Sequence, residues 1–239
     1  MRPKHILAVV ANPATSSTLG VPVGFWASEL IHPYDAMTRA GHRVTIASPK
    51  GGAVALDAYS DPRDSSGYSR EDTLSLAYLE NPDFVNRLAN TPSTEALSPD
   101  GFDAILVVGG QSPMFTFRHN PPLQALFLGF LDAGKPGAAL CHGTCLLLDL
   151  KDRHGVPVIR GRRMTGFANS EEDVVDGVVG RKVMPFRIED EARSLGAHFL
   201  TAGPFEPFAV RDGNLITGQQ QHSGNRVAEL VLQALEEVP

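Results

Sequence analysis

Cys141 and His142, in the segment LCHG, are the residues of this chain best suited to covalent chemistry. The apolar run Gly137 to Leu140 reads as a short buried strand, and an apolar helix is expected from Thr144, so the cysteine falls on the turn between them. At a helix N-terminus the free N–H groups and the dipole favour a thiolate. The adjacent histidine can take the proton that the thiol gives up, which makes the pair a candidate nucleophile and base. The competing reading is a buried cysteine used as a small hydrophobe. Cys145 lies four residues on, where a disulfide back to Cys141 would strain a helix, so it is read as core packing. Two cysteines in 239 residues exclude a disulfide framework and a cysteine-rich zinc site.

Other residues can serve such a nucleophile. Gly109-Gly110 ends an apolar run, and glycines there either make a plain turn or expose backbone N–H groups as half of an oxyanion hole. Glu29, among Phe25, Trp26, Leu30 and Ile31, is either a surface residue of an amphipathic helix or a half-buried carboxyl with a raised pKa, suited to proton transfer. Glu171, Glu172 and Asp173 follow GFANS; they form the acidic first turn of a helix, or one of them orients His142. His222, in TGQQQHSGNR, belongs to the same rim or to a cap of the last helix. No G-x-G-x-x-G follows the first strand and no G-x-x-x-x-G-K-[ST] occurs, which argues against nucleotide binding.

The elements that must position these residues follow from hydrophobic patterning. Strands are expected at His5–Ala11, Arg43–Ala47, Asp103–Val108 and Gly137–Leu140. Shorter ones are expected at Pro157–Ile159, Met164–Gly166, His198–Thr201, Phe208–Val210 and Asn214–Thr217, the last two forming a hairpin on Asp212-Gly213. Helices are expected at Phe25–Ala40 (kinked or restarted at Pro33), Asn120–Ala133, Glu171–Val179, Ile188–Leu195 and Val227–Glu237. Residues 53–101 read as an irregular insertion over one edge, a partial lid with short helical patterns near Thr73–Leu79 and Asp83–Ala89, within a single domain spanning 1–239. Strands alternating with helices imply a doubly wound α/β sheet, mostly parallel, with helices on both faces. Ligands in such folds bind at the carboxyl ends of the strands, which puts residues 12–24, Gly109–Phe115 and Cys141-His142 on one rim.

Apolar residues make up 42% and charged residues 20% of the chain, ordinary values for a soluble globular protein. A net charge of −6 offers no footprint for nucleic acid or an anionic membrane. The apolar run near the N-terminus is too short to span a bilayer and breaks at Asn12-Pro13, so it reads as a core strand and the default location is cytoplasmic.

The segments GFWASELIHPYDAMTRAGHRVTIASPKGG, VVGG, LCHG, MTGFANSEE and LITGQ occur in this order. Together they resemble the ThiJ/PfpI superfamily, of the class I glutamine amidotransferase-like fold, and within it the branch of glyoxalase III and heat-shock chaperone-like proteins. The resemblance implies a flavodoxin-like sandwich and a homodimer. It implies Cys141 as nucleophile on a strained elbow, His142 as its base and Glu172 as the acidic third member, with Glu171 as the fallback. Glu29 matches the acid that contacts the sulfur and moves the substrate's proton. The N–H groups of Gly110, beside Gly109, and of His142 match the oxyanion hole. The branch usually continues Gly-Gly with His-Gly; here Gln111-Ser112 stands instead, and a neutral amide cannot shuttle protons. The implied activity is conversion of a small carbonyl compound, a 2-oxoaldehyde such as methylglyoxal, to a 2-hydroxy acid without glutathione, metal or organic cofactor. The alternatives are a cysteine hydrolase, amidase or deglycase acting on another small substrate, and a stress chaperone or redox sensor.

Overall fold

The computed structural model describes residues 2–237. Six strands form the central sheet: β1 (His5–Val9), β2 (Arg43–Ala47), β3 (Ala104–Val107), β4 (Gly137–Leu140), β5 (Ala209–Asp212) and β6 (Leu215–Gly218). Their spatial order is β2-β1-β3-β4-β6-β5, all parallel except the edge strand β5, which pairs antiparallel with β6. This is the flavodoxin-like α/β arrangement, and the expected hairpin joins β5 to β6, but its two loop residues are Gly213-Asn214, Asp212 being already paired with Leu215.

The inner strands β1, β3, β4 and β6 are buried almost throughout because both faces of the sheet are covered, whereas the edge strand β5 carries Arg211 and Asp212. In β1, Ile6 and Ala8 enter one core and Leu7 and Val9 the other, as a two-residue period requires. The first core is closed by α1 (Ala27–Arg39) and α8 (Gly224–Glu237), with α2 (Thr73–Leu79) and α3 (Pro82–Ala89) packed outside α1. The second is closed by α4 (Pro113–Thr116), α5 (Pro121–Asp132), α7 (Ile188–Ser194) and the segment after β4. Helix α6 (Asn169–Val179) lies at the rim.

Three local expectations need correction. Pro33 does not interrupt α1, whose span is continuous; its ring lies against Gly224 of α8, where a Cβ would sit only 3.1 Å from Pro33 Cδ. The helix expected from Thr144 is a 3-10 helix and starts at Cys141 itself, running to Asp149. Eight consecutive residues, Cys141 to Leu148, are buried because the segment is enclosed by the sheet, α4, α5 and α7. Pro157–Ile159 is not a strand: Pro157 makes one antiparallel bridge to Lys151, and Ile159 starts a turn.

The stretch 53–101 carries the two short helices its patterning suggests, α2 and α3, linked by turns. Asp72 caps α2 through Ser75 N, and Asn81 caps α3 through the N–H groups of Asp83 and Phe84. Bridges tie the stretch down at Ser48–Ser93, Gly52–Thr91 and Phe25–Leu56, the last beside the start of α1. It therefore reaches the rim that carries the candidate residues. No helix among the described residues is long and apolar enough to cross a membrane.

Candidate active site

The site is assembled at the carboxyl ends of β3 and β4. Cys141 follows β4 directly and has φ of 55°, in the left-handed region that costs an ordinary residue roughly 1–2 kcal/mol. Such strain persists only where the surroundings over-determine it, and it gathers at functional positions. Here the Thr144 hydroxyl donates to the Cys141 carbonyl at 2.7 Å and holds the turn. The sulfur side is crowded by β3: a Cβ on Gly109 would sit 2.7 Å from Cys141 Cβ and 2.4 Å from Glu29 Oε2. Only glycine permits that approach, so the Gly-Gly pair is more than a turn.

Three acidic or basic side chains converge on Cys141. His142 Nδ1 lies 3.7 Å from the sulfur, and His142 Nε2 lies 3.1 Å from Glu172 Oε1, with both side chains nearly removed from solvent. The imidazole also packs on Phe167, ring centroids 4.2 Å apart, which sets its plane. With Nε2–H donated to Glu172, Nδ1 is left free to accept the thiol proton. Glu29, one turn into α1, is completely buried and accepts a 2.9 Å hydrogen bond from Gly109 N. Its second oxygen has no partner in the protein.

Electrostatics assign the protons. Burial pushes Glu29 up to about 8, the Cys141 thiol and Gly109 N–H offset part of this, and the charges of Asp57 and Glu171 add to it. Glu29 is therefore a carboxylic acid at neutral pH. Burial and Glu29 likewise push the Cys141 thiol well above its usual range, while backbone N–H groups of His142 and Gly110 hydrogen-bond the sulfur and pull the other way. The helix-terminus argument for a resting thiolate is thus overridden by desolvation, which exceeds a dipole effect of about 0.3–1 kcal/mol. What the backbone does supply is a pair of N–H donors at the sulfur, where charge on a reacting carbonyl oxygen would develop.

This arrangement has relatives. The family described as DJ-1/PfpI matches residues 19–234. The chain belongs to the DJ-1/PfpI family. Glyoxalase 3 of Candida albicans is 28% identical over 237 residues, covering 98% of both chains. The glutathione-independent glyoxalase HSP31 of Saccharomyces cerevisiae is 26% identical over 247 residues, covering 99% of this chain and all of that one (100%). Among solved structures, the Rapid Encystment Protein 24 KDa of Francisella tularensis superposes with a TM-score of 0.87 at 28% identity, over 97% of this chain and 99% of the other.

The DJ-1/PfpI scaffold brings together Cys141, His142, Glu29, Glu172, Gly109 and Gly110, and it separates the two glutamates of α6. Glu172 meets His142, whereas Glu171 accepts from Ala168 N (2.9 Å), Phe205 N (3.0 Å) and Gln219 Nε2 (2.9 Å). Glu171 therefore ties three segments of the rim to one another. Gln111 lies on the same rim, with its N–H given to Asp57 and its side-chain oxygen buried and unpartnered. His222 instead lines a neighbouring cavity of about 420 Å³ with Trp26, Ser28, His32, Tyr68 and Gln221. Cys145 is packing, its Sγ–H directed at the Pro113 carbonyl at 3.4 Å. No group of three or more His, Cys, Asp or Glu side chains among the described residues is placed to hold a metal ion.

Two residues at the site escaped the sequence reading. Asp57 is buried between Gly24 and Gln111, and Tyr68 hydrogen-bonds Gln221 and packs edge-on against Trp26. Both belong to the stretch 53–101, where no periodic pattern distinguishes a buried polar residue from a solvated one. The Asp57-containing run ALDAYS offers only a lone acid between small and apolar residues as a signal.

Proposed function

We propose that this chain is a glutathione-independent glyoxalase that converts a 2-oxoaldehyde such as methylglyoxal to the 2-hydroxy acid, with Cys141 as nucleophile. The carrying observation is geometric: fully buried Glu29 meets Cys141 at Gly109 while His142 Nδ1 lies 3.7 Å from the sulfur, so an acid that burial keeps protonated and a base flank it, as an internal proton transfer between adjacent carbons demands. The curated relatives named as glyoxalases support the same reading.

The protons balance through a full cycle. Cys141 sulfur bonds to the aldehyde carbon while its proton passes to His142 Nδ1, and Glu29 protonates the oxygen, leaving a hemithioacetal. Glu29, now a carboxylate, removes the hydrogen from that carbon as imidazolium protonates the neighbouring ketone oxygen, giving an enediol. The enediol returns one hydroxyl proton to His142 and takes a proton on the second carbon from Glu29, giving the thioester of a 2-hydroxy acid. Water then attacks the thioester, losing a proton to Glu29, and the departing sulfur recovers its proton from His142. The N–H groups of Gly110 and His142 stabilise oxyanion character during addition and hydrolysis, and Gln111 forms part of the wall beside the substrate. No electrons are exchanged with an external group. The family resemblance supports a cytoplasmic homodimer as the working form.

Conversion of methylglyoxal to lactate, followed by an enzymatic lactate assay in glutathione-free buffer, tests this. Turnover is expected, and its absence with intact, alkylatable Cys141 would exclude the activity. The two glutamates of α6 supply a second test. Glu172→Gln is expected to lower kcat about 10- to 100-fold, because the imidazole loses its charge-stabilising partner while keeping a hydrogen bond. Glu171→Gln is expected to leave kcat within about threefold and to lower stability by roughly 1–3 kcal/mol, the range for a disturbed buried hydrogen-bond group. Steady-state kinetics and urea unfolding of both variants check the pair; reversed effects would exchange the roles assigned here.

A further inference from the structure

Asp57 is a carboxylate 2% exposed to solvent, and its charge is met by no lysine or arginine in the hydrogen bonds it accepts. Both of its oxygens are occupied by neutral backbone donors: Gly24 N–H at 2.8 Å on one and Gln111 N–H at 2.6 Å on the other. Its own N–H donates to the Phe25 carbonyl at 2.8 Å. The carboxylate thus bridges two segments that run side by side at the rim, the entry to α1 and the turn after β3. Those segments are also joined directly, by Ser112 N–H to the Gly24 carbonyl at 2.9 Å and Trp26 N–H to the Gly109 carbonyl at 3.3 Å. Between them sits Gly110, with φ of 100° and so little room that a Cβ would meet Trp26 N at 2.5 Å. The peptide that Asp57 holds, through Gln111 N, is the one that follows Gly110.

We infer that Asp57 is a positioning residue for the oxyanion hole: it clamps the turn after β3 against the entry to α1 and so aims Gly110 N–H at the reacting centre. The inference rests on the reading of Gly110 as an oxyanion donor. Burying an unpaired carboxylate is unfavourable unless charge-assisted hydrogen bonds compensate it. Its burial pushes Asp57 up to about 6, and the two N–H donors hold it back from rising further. A neutral residue could pack here at lower cost, but it could not accept from two N–H groups on opposite sides. A misdirected Gly110 N–H weakens states that carry an oxyanion most, while the sulfur keeps the His142 N–H, so the clamp acts on catalysis more than on the thiol's own reactivity.

The test exploits that separation in Asp57→Asn and Asp57→Ser. Asparagine turns one acceptor into a donor facing an N–H group, and serine is too short to span both segments. Three readouts are compared with wild type: methylglyoxal turnover, p-nitrophenyl acetate cleavage and alkylation of Cys141 by iodoacetamide. Alkylation is a displacement without an oxyanion, whereas ester cleavage passes through one even if the oxoaldehyde is not the substrate. The expected result is a fall of about 10- to 100-fold in kcat for both carbonyl substrates, with KM and the alkylation rate within about threefold of wild type. Unchanged kcat in folded variants overturns the inference. So does a parallel fall of alkylation and carbonyl turnover, which marks general collapse of the site. Failure of both variants to fold, by circular dichroism, assigns Asp57 to the fold instead and also overturns it. Failure of wild type on methylglyoxal with retained ester cleavage rejects the oxoaldehyde reading and leaves the clamp to be judged on the ester.

Discussion

Cys141→Ala is expected to abolish conversion of methylglyoxal to lactate, lowering kcat at least about 10⁴-fold, to the uncatalysed background. The magnitude follows from the role proposed for the sulfur: it forms the covalent bond that keeps the substrate between Glu29 and His142, and without it neither proton shift has a hemithioacetal to act on. The substitution should not unfold the protein. Cys141 Cβ remains, and the turn is still held by the Thr144 hydroxyl on the residue 141 carbonyl. The left-handed φ of 55° is no easier for alanine than for cysteine. Loss of the sulfur also removes one of the two groups that oppose the rise of Glu29, so this carboxyl stays protonated. The comparison requires lactate production by purified wild-type and variant proteins, with circular dichroism to confirm the fold. Residual turnover above a few per cent would mean that the carbonyl reacts without a thioester and would remove Cys141 from the mechanism.

Glu29→Gln should separate activity from stability in opposite directions. Gln keeps the size and one acceptor for Gly109 N but can neither give nor take the substrate's proton, so kcat is expected to fall about 10²- to 10⁴-fold, the usual contribution of a general acid–base. The stability effect follows from linkage. Glu29 holds its proton up to about 8 in the folded protein but only to 4.5 when exposed. Between these values the folded state binds one more proton than the unfolded state, so stability falls as pH rises. The contribution is fully present below pH 4.5 and gone above pH 8, at about 1.4 kcal/mol per pH unit crossed. Gln has no proton to lose. Relative to wild type, the variant should gain stability on the order of a few kcal/mol between pH 4.5 and pH 8, whatever constant change its extra N–H donor introduces. Urea unfolding of both proteins across this range reads the slope directly; parallel curves would mean that Glu29 is not protonated in the folded state. Wild-type kcat should decline above about pH 8, as Glu29 loses the proton it must first donate.

Cys141, His142 and Glu29 were legible because their neighbours are patterned. Cys141 sits where an apolar strand ends, and Glu29 interrupts the apolar series Phe25, Trp26, Leu30, Ile31 on a helix. The strands β1 to β4 were equally plain, since strands buried on both faces read as continuous apolar runs. The adjacent Glu171 and Glu172 show the limit of that signal. Identical in type, they point about 100° apart on α6 by helical geometry, and the choice between them depends on where His142 and Gln219 lie in space. Asp57 marks a second limit. It comes from a stretch held by caps, bridges and short turns, and its two partners lie 33 and 54 residues away along the chain.

By itself, the order of residues along the chain determined the sheet, the turn that presents Cys141 and the set of acids and bases available to it. Local patterning suffices for these because strands and helices answer to periods of two and 3.6 residues. The tertiary structure alone decided which carboxylates face the sulfur and in which protonation state. The thiol that a helix terminus would ionise is held protonated by burial, and the glutamate that a surface would ionise is held protonated beside it. Desolvation depends on every atom packed around a group, and most of the packing around Glu29 and Cys141 comes from segments far away in the chain.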